Sequence, residues 1–260
     1  MSFLKYDVLY AYRKYLETKY SKETARTYYI KLDNLLDDQR INEDTIELDF
    51  EKILKRLEEI KYKSYFSQYK SALLRFCEFA DITVSDEYLE YIEYLKHGKK
   101  KKYRKLEAID YTKIEKRIKH LRNKKLKLSY QAMVQTGLRV SELAQIKPRD
   151  CVIYEDKIIF HFISKGGKPE EVTLYKQDNQ TIYRNIKEQI ENTDEERCVF
   201  YSAIYLQTKA TELGFKCHDL RRAFAKMEYK KSKSKEEVMK KLRHVHIKST
   251  NIYLNRTIKI

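Results

Sequence analysis

Apolar residues recur every three or four positions along most of this chain, which is the spacing of one face of an α-helix. Leu54, Leu57 and Ile60 give one clear example of this spacing. Residues that end helices are scarce, because the 260 residues include only 5 glycines and 2 prolines. Since glycine and proline have the lowest helix propensities, the pattern predicts a mainly α-helical fold.

One segment departs from the helical pattern. β-Branched and aromatic residues at 151–154, 157–163 and 171–174 predict three short strands. The connection at 164–169 contains two adjacent glycines, which suit the positive φ angles of a hairpin turn. We therefore expect a small three-stranded antiparallel sheet inside a helical domain.

A run of positive charge divides the chain. Seven of the nine residues from His97 to Lys105 are basic if the histidine is protonated. The run predicts a linker at 97–105, between an N-terminal helical domain at 1–96 and a mostly helical C-terminal domain at 106–260. This linker is either solvated or lies along a phosphate backbone. In the second case the residues that would bind the nucleic acid backbone are Lys99, Lys100, Lys101, Lys102, Arg104 and Lys105.

The net charge favours a polyanionic partner. Lysine and arginine number 55 against 39 aspartates and glutamates, which gives +16 at pH 7. Such an excess indicates nucleic acid or an anionic membrane surface. The sequence contains no apolar run of about 18 residues that could cross a bilayer. The four cysteines lie far apart without zinc spacing, which suits a reducing compartment. We therefore expect a soluble, cytoplasmic protein.

Polar side chains of a particular kind lie near the predicted turns and helix starts. They are two arginines, one lysine, two histidines and a tyrosine, without a pair of carboxylates or a metal cluster. Each of them alone is more often an ordinary surface residue, so the hypothesis depends on the whole set. The set consists of Arg139, Lys165, His218, Arg221, His244 and Tyr253.

Helical spacing relates some members of this set to each other. In a helix that begins near residue 218, His218 and Arg221 share one face, which differs from the apolar face of that helix. Ser249 or Thr250 would cap a short last helix and place Tyr253 in its first turn.

Such a set suits transesterification of a phosphodiester. Hydrolysis by Mg²⁺-activated water would need acidic ligands, which the set lacks. Two guanidinium groups can hold the non-bridging oxygens of a pentacoordinate phosphorus, and a tyrosyl oxygen can attack it. Ammonium or imidazole groups can transfer the protons.

Three segments resemble the tyrosine recombinase (phage integrase) family. They are Thr-Gly-Leu-Arg-Val-Ser-Glu-Leu at 136–143, His-Asp-Leu-Arg-Arg-Ala-Phe-Ala at 218–225, and His244 followed nine residues later by Tyr253. The spacing between these segments also fits the family, so the resemblance covers residues 106–256.

The resemblance implies an Xer- or integrase-like site-specific recombinase. Residues 3–95 are more loosely similar to the helical core-binding domain of the family, which would form a C-shaped clamp around duplex DNA with the catalytic domain. The linker would then cross the DNA backbone. The implied partners are double-stranded DNA and further copies of the chain, as a homotetramer on synapsed DNA and a monomer or dimer off DNA. No cofactor and no membrane are implied, and accessory DNA-bending proteins are compatible with this reading.

The resemblance also implies a role for each residue of the set. Tyr253 would be the nucleophile that forms a 3′-phosphotyrosine and frees a 5′-hydroxyl. Lys165 would protonate the leaving oxygen, and His218 would assist proton transfer at the tyrosine. The residues to consider in place of the tyrosine and the lysine are Tyr229 and Lys168.

The remaining implied roles concern the scissile phosphate. Arg139 and Arg221 would bind it, His244 would donate a hydrogen bond to one of its oxygens, and Glu142 would orient Arg139. His246 is the alternative to His244. The sequence departs from the family at Arg243, where the family usually has glycine. We expect the Arg243 side chain either to point outward or to add a phosphate contact.

Two alternative functions remain at the level of the sequence. A type IB topoisomerase-like enzyme would use the same chemistry to relax DNA. A catalytically silent member of the family would only bind DNA. Strand exchange between two duplexes distinguishes the recombinase from the first alternative, and a covalent protein–DNA complex distinguishes it from the second.

Overall fold

The computed structural model describes residues 3–37, 40–41, 46–100, 109–164, 167–255 and 258–259. The chain forms two compact units, Met1–Lys105 and Leu106–Ile260. Both are built mainly from helices, so the predicted fold class is confirmed. Within the described residues, none of the helices combines the length and the apolar character that a membrane span requires.

The N-terminal unit is a bundle of helices with a short antiparallel strand pair. Hydroxyl and carboxylate side chains at three helix starts accept hydrogen bonds from backbone N–H groups, which fixes where these helices begin. Tyr12 lies at the centre of the bundle, and its hydroxyl donates to the carbonyl of Ala72 at 3.0 Å. The elements are α1 (Phe3–Lys19), α2 (Lys22–Leu35), β1 (Arg40–Ile41), β2 (Ile46–Glu47), α3 (Phe50–Glu59), α4 (Lys63–Phe79) and α5 (Asp86–Gly98).

The structure differs from the prediction at the start of the linker. Helix α5 continues to Gly98, and the backbone N–H of Lys100 donates to the carbonyl of Lys61 at 3.2 Å. The Nζ of Lys99 donates to the carbonyl of Glu58 at 2.6 Å. Backbone pairing and this side-chain contact hold residues 99 and 100 in the N-terminal unit. The other predicted DNA-binding residues, Lys101, Lys102, Arg104 and Lys105, lie outside the described residues.

The C-terminal unit is assembled around helix α7, whose apolar residues are buried. The short helix that contains Glu142 ends at Leu143, and a 3₁₀ turn follows at Pro148–Asp150. The helices are α6 (Tyr111–Lys119), α7 (Lys124–Thr136), α8 (Val140–Leu143), α9 (Gln180–Glu191), α10 (Ala203–Glu212), α11 (Cys217–Ser232), α12 (Lys235–Lys241) and α13 (Ile247–Asn255).

Two sheets complete the C-terminal unit. A parallel pair of two-residue strands, β3 (Ile109–Asp110) and β7 (Ile258–Lys259), joins the two ends of the unit. The predicted antiparallel sheet is confirmed, with the order β4 (Cys151–Ile153), β5 (Lys157–Ile163) and β6 (Pro169–Tyr175). The register of the last two strands pairs residue 160 with residue 172, so they form one continuous hairpin.

The C-terminal unit contains a second, smaller apolar cluster that is distinct from its main core. It contains residues of α11, α12 and α13, among them Phe224, Val238 and Tyr253. Burial in this cluster fixes α13 against α11, and that packing determines where the Tyr253 side chain lies.

Candidate active site

A tight turn at Gly137 places Arg139 at the start of α8. Gly137 has a φ of 65°, and its N–H donates to the carbonyl of Met133 at 2.9 Å to close helix α7. A Cβ at this position would lie 2.5 Å from the ring atom Cδ1 of Phe224. Both the backbone angle and this close approach therefore require glycine. Arg139 then takes the N-cap position of α8.

Glu142 holds Arg139 in place. The backbone N–H of Arg139 donates to Oε2 of Glu142 at 2.8 Å, and its Nη1 donates to Oε1 at 2.5 Å. Burial alone would raise the pKa of the Glu142 carboxyl, but the hydrogen bonds and charge of Arg139 and the charge of Arg243 outweigh it and lower the pKa. Glu142 is therefore an ionised, buried carboxylate that contacts the arginine directly.

Arg221 is fully buried, although the sequence placed it on a face away from the apolar stripe. Its guanidinium donates to the backbone carbonyls of Gly137 and Leu242, and its Nη1 lies 3.9 Å from Oε2 of Glu142. Its Nε has no hydrogen-bond partner among the described residues. Burial and the charge of Arg139 lower the Arg221 pKa to about 10. A buried, incompletely paired guanidinium of this kind favours a bound anion.

Tyr253 and His218 are in direct contact. The hydroxyl of Tyr253 lies 2.5 Å from Nε2 of His218, and the two ring centroids are 5.1 Å apart. Tyr253 is buried in the small apolar cluster, whereas His218 keeps an exposed edge. The predicted cap of the last helix is wrong, because α13 begins at Ile247 and Thr250 lies inside it. Tyr253 consequently lies in the second turn.

His218 is electrically neutral near pH 7. The loss of water around its ring, followed by the positive charges of Arg222 and Arg221, lowers its pKa from 6.5 to about 4. A neutral imidazole has one ring nitrogen free to accept a proton. With Nε2 as that acceptor, the Tyr253 hydroxyl donates to it.

His244 lies on the other side of the tyrosine. Its ring centroid is 5.0 Å from that of Tyr253, and its Nδ1 lies 3.0 Å from the Thr250 hydroxyl. Burial, followed by the charges of Arg221 and Arg139, lowers the His244 pKa to about 4. The alternative His246 is exposed. Thr250, which the sequence suggested as a helix cap, instead orients His244.

The Arg243 side chain points inward, which excludes the outward one of the two expected alternatives. Its Nη2 lies 3.2 Å from Oε2 of Glu142, and its side chain is only 11% exposed. The N–H groups of Arg243 and His244 donate to the carbonyls of Lys240 and Met239 in a Schellman motif at the end of α12. Arg243 occupies the left-handed position of this motif, with a φ of 54°.

One further arginine near the tyrosine was not predicted. The Cζ of Arg222 lies 5.6 Å from the ring centroid of Tyr253, and its Nη1 donates to Oδ1 of Asp219 at 2.8 Å. A signal was available in the sequence, because Asp219 and Arg222 are three positions apart on one helix.

Lys165 lies outside the described residues. The strands on either side of it are described, and the backbone N–H of Ser164 donates to the carbonyl of Lys168 at 2.8 Å across the base of the turn. The structure thus brings together five of the six predicted catalytic residues, namely Arg139, His218, Arg221, His244 and Tyr253.

A cavity of about 440 Å³ opens beside this group and is lined in part by Arg139, His218 and Arg221. In the parts of the chain that the structure describes, there is no cluster of three or more His, Cys, Asp or Glu side chains that could hold a metal ion. The groups at the cavity can bind an anion through guanidinium donors and can move a proton between a phenol and an imidazole.

Comparisons with known proteins identify the family and the fold of the chain. Residues 106–259 match the family model described as the phage integrase family. The fold is similar to a lambda integrase dimer bound to a COC′ core site, with 17% identity and a TM-score of 0.64 over 95% of this chain and 94% of that one.

Two other solved structures show the same fold. The Tn1549 transposon integrase in complex with circular intermediate DNA has 14% identity and a TM-score of 0.61, over 95% of this chain and 94% of that one. The XerH site-specific recombinase bound to palindromic difH substrate has 17% identity and a TM-score of 0.59, over 90% of this chain and 76% of that one. No curated protein matches the chain by sequence.

Proposed function

The chain belongs to the phage integrase family, the tyrosine recombinases, and on this basis we propose that it is a site-specific DNA recombinase that cleaves and rejoins duplex DNA through a 3′-phosphotyrosine. The observation that carries the proposal is the 2.5 Å contact between the Tyr253 hydroxyl and Nε2 of His218, beside a cavity that Arg139 and Arg221 line. Family membership gives the reaction class, and this contact supports the assignment of the nucleophile.

In the proposed cleavage step, the Tyr253 oxygen attacks the scissile phosphorus and its proton passes to Nε2 of His218. The bond between phosphorus and the 5′-oxygen breaks, and Lys165 gives that oxygen a proton. The products are a 3′-phosphotyrosine and a free 5′-hydroxyl, so the energy of the phosphodiester is conserved in the new ester. Rejoining is the reverse attack, by a 5′-hydroxyl from the same or another strand.

The scissile phosphate is bound by Arg139 and Arg221 and by a hydrogen bond from His244. These groups stabilise the charge that develops on the non-bridging oxygens in the transition state. The buried carboxylate of Glu142 supports this role, because it orients Arg139 without occupying all donors of Arg221.

Double-stranded DNA is the proposed partner, and the net charge of +16 supports it. In this proposal, residues 106–260 are the catalytic domain, residues 1–96 clamp the DNA, and the linker contacts its backbone. The lambda integrase relative is a dimer on its core site. We extend this to a homotetramer of the present chain on two synapsed duplexes. The four free cysteines support a cytoplasmic location, because reducing compartments keep thiols reduced.

A nicked suicide duplex tests the nucleophile. Cleavage near the nick releases a short 5′-hydroxyl fragment, so the covalent complex accumulates. A library of nicked duplexes with random sequence supplies the target, and sequencing of the captured DNA identifies it. Wild-type protein should give a denaturant-resistant adduct with and without EDTA, since no residue of the proposed mechanism needs a metal. Tyr253→Phe should give none while it still binds duplex DNA.

Tyr229→Phe is the matched control, because Tyr229 packs against the same small cluster as Tyr253. This variant should form the adduct at the wild-type level. An adduct that survives in Tyr253→Phe and disappears in Tyr229→Phe would contradict the assignment. Strand exchange between two captured duplexes, rather than relaxation of a supercoiled circle by a monomer, would identify recombination.

A further inference from the structure

Arg243 contacts three separate elements of the catalytic unit. Its Nη2 lies 3.2 Å from Oε2 of Glu142 on α8. Its Nε lies 3.1 Å from Oε2 of Glu170 on β6, an ion pair in which neither atom makes a hydrogen bond to a described residue. Its Cζ lies 5.1 Å from the ring centroid of Phe162 on β5. Arg243 itself directly precedes His244. One guanidinium therefore lies between the β5–β6 hairpin, the carboxylate that holds Arg139, and the segment that carries His244.

The backbone at Arg243 has a conformation that favours glycine. A φ of 54° is disfavoured for every residue except glycine, and the Schellman position that Arg243 occupies is one where glycine is usual. A side chain at this position carries a backbone cost, which Asp81 and Lys233 also carry among the described residues. The contacts that offset this cost are those to Glu142, Glu170 and Phe162.

We propose that Arg243 is a positioning residue that fixes the β5–β6 hairpin against the Glu142–Arg139 pair. This inference rests on the proposed function, in which the turn of this hairpin supplies the general acid Lys165 and Arg139 binds the phosphate. Without the Arg243 side chain, Glu142 keeps its hydrogen bonds to Arg139, whereas Glu170 loses its contact at 3.1 Å. Loss of Arg243 should therefore disturb the hairpin more than the phosphate-binding arginine.

Arg243→Gly is the informative substitution, because glycine removes the guanidinium and also relieves the backbone. Its thermal unfolding midpoint should fall by at most a few degrees from the wild-type value. Its cleavage of an ordinary nicked duplex should fall about 10²-fold, as expected when a catalytic group is displaced by about 1 Å. DNA binding should change less than about twofold, since the arginines that bind phosphate remain.

A DNA strand with sulfur in place of the bridging 5′-oxygen distinguishes positioning of the hairpin from general damage. The thiolate leaves without a proton donor, so a misplaced acid no longer matters. Arg243→Gly should recover at least about tenfold on this strand. Glu170→Gln should lose less cleavage activity than Arg243→Gly on the ordinary strand, and it should also recover on the sulfur-bridged strand. An equal loss on both strands, or cleavage at the wild-type rate on the ordinary strand, would overturn the proposal.

Glu171→Gln is the matched control for Glu170→Gln. The two residues are adjacent on β6, and their side chains point to opposite faces of the sheet. Glu171 is 63% exposed and lies 3.8 Å from His161, whereas Glu170 is 28% exposed and faces Arg243. Glu171→Gln should cleave both strands at the wild-type rate. A loss in this control equal to that of Glu170→Gln would contradict a specific role for the Arg243 contact.

Hydrogen exchange on the free protein tests the inference without DNA cleavage. Amides of β5 and β6 should exchange about tenfold faster in Arg243→Gly than in wild type, and those of α9 should not change. Arg243→Lys keeps one positive charge but cannot bridge two carboxylates. Its β5 and β6 amides should exchange at a rate between those of wild type and Arg243→Gly. A wild-type protein that forms no adduct would refute the proposed function alone, whereas unchanged exchange in the hairpin would refute the inference alone.

Discussion

Two histidines and a group of arginines determine the chemistry of this site at the scale of single residues. Burial and the neighbouring guanidinium charges lower the pKa values of His218 and His244 to about 4. The same arginines that would attract a phosphate thus keep both imidazoles neutral. Residue identity and spacing predicted both histidines and, of the arginines, Arg139 and Arg221. Their protonation could not be predicted, because it depends on contacts that only the fold creates.

The rate of cleavage should depend on pH through His218. The group acts as a base only when neutral, and its pKa is about 4, so the base is present above this pH and is lost as the pH falls through it. Single-turnover cleavage by the folded protein should therefore change little between pH 7.5 and about 5.5. A loss of rate with a midpoint near 6.5, the ordinary value for histidine, would contradict this environment.

Lys165→Ala tests the proposed acid separately from the phosphate-binding arginines. Its cleavage should fall about 10²–10⁴-fold on an ordinary strand, the usual range for a positioned general acid. A sulfur-bridged strand should restore it nearly to the wild-type rate. Arg221→Ala should not be restored, because its role concerns the non-bridging oxygens, which the sulfur does not alter. Rescue of both variants, or of neither, would mean that Lys165 is not the acid, and Lys168 would be the next residue to test.

At the scale of secondary-structure elements, features that depend on local residues were predictable from the sequence. Features that depend on long-range contacts were not. The hairpin was predictable because β-branched residues and adjacent glycines act locally. The start of α13 was not, because the Thr250 hydroxyl contacts His244 instead of capping the helix. Nor was the orientation of Arg243, whose partner Glu142 is 101 residues away in sequence. Each error comes from a tertiary partner that replaced a local one.

The turn after α7 should be more sensitive to substitution than the hairpin turn. Gly137 and Gly167 both have positive φ angles, of 65° and 79°, so alanine strains the backbone at either position. At Gly137 a Cβ would also lie 2.5 Å from the Phe224 ring, whereas at Gly167 it would meet nothing within 4 Å. Gly167→Ala should lower the free energy of unfolding by about 1–2 kcal/mol, and Gly137→Ala by a further ~1–3 kcal/mol. Equal effects in chemical denaturation would contradict the close approach.

At the scale of the whole molecule, charge relates the two units to their proposed partner. The excess of 55 basic over 39 acidic residues predicts a binding constant for DNA that falls steeply with salt. The basic run is read directly from the sequence, and the division of the chain at this run stays a prediction. The contact between Lys99 and the carbonyl of Glu58 could not be predicted from the run, because it is a tertiary contact.

Substitution of lysines in the run tests whether it contacts the DNA backbone. Joint replacement of Lys100, Lys101 and Lys102 by alanine should flatten the slope of log K against log salt by about two to three units. Lys99→Ala is the control and should leave the slope unchanged, because its Nζ is bonded within the N-terminal unit. Fluorescence anisotropy over a salt series measures both slopes. An unchanged slope in the triple variant would mean that the run is only solvated.

The most direct test of the central claim is the chemical identity of the protein–DNA link. Trapped adduct is digested with protease and nuclease, and the modified peptide is sequenced by mass spectrometry. We expect a nucleotide joined through its 3′-phosphate to the Tyr253 oxygen, within the segment that follows His244, and a free 5′-hydroxyl on the released strand. A nucleotide on Tyr229 or another residue, or a link through a 5′-phosphate, would contradict the account.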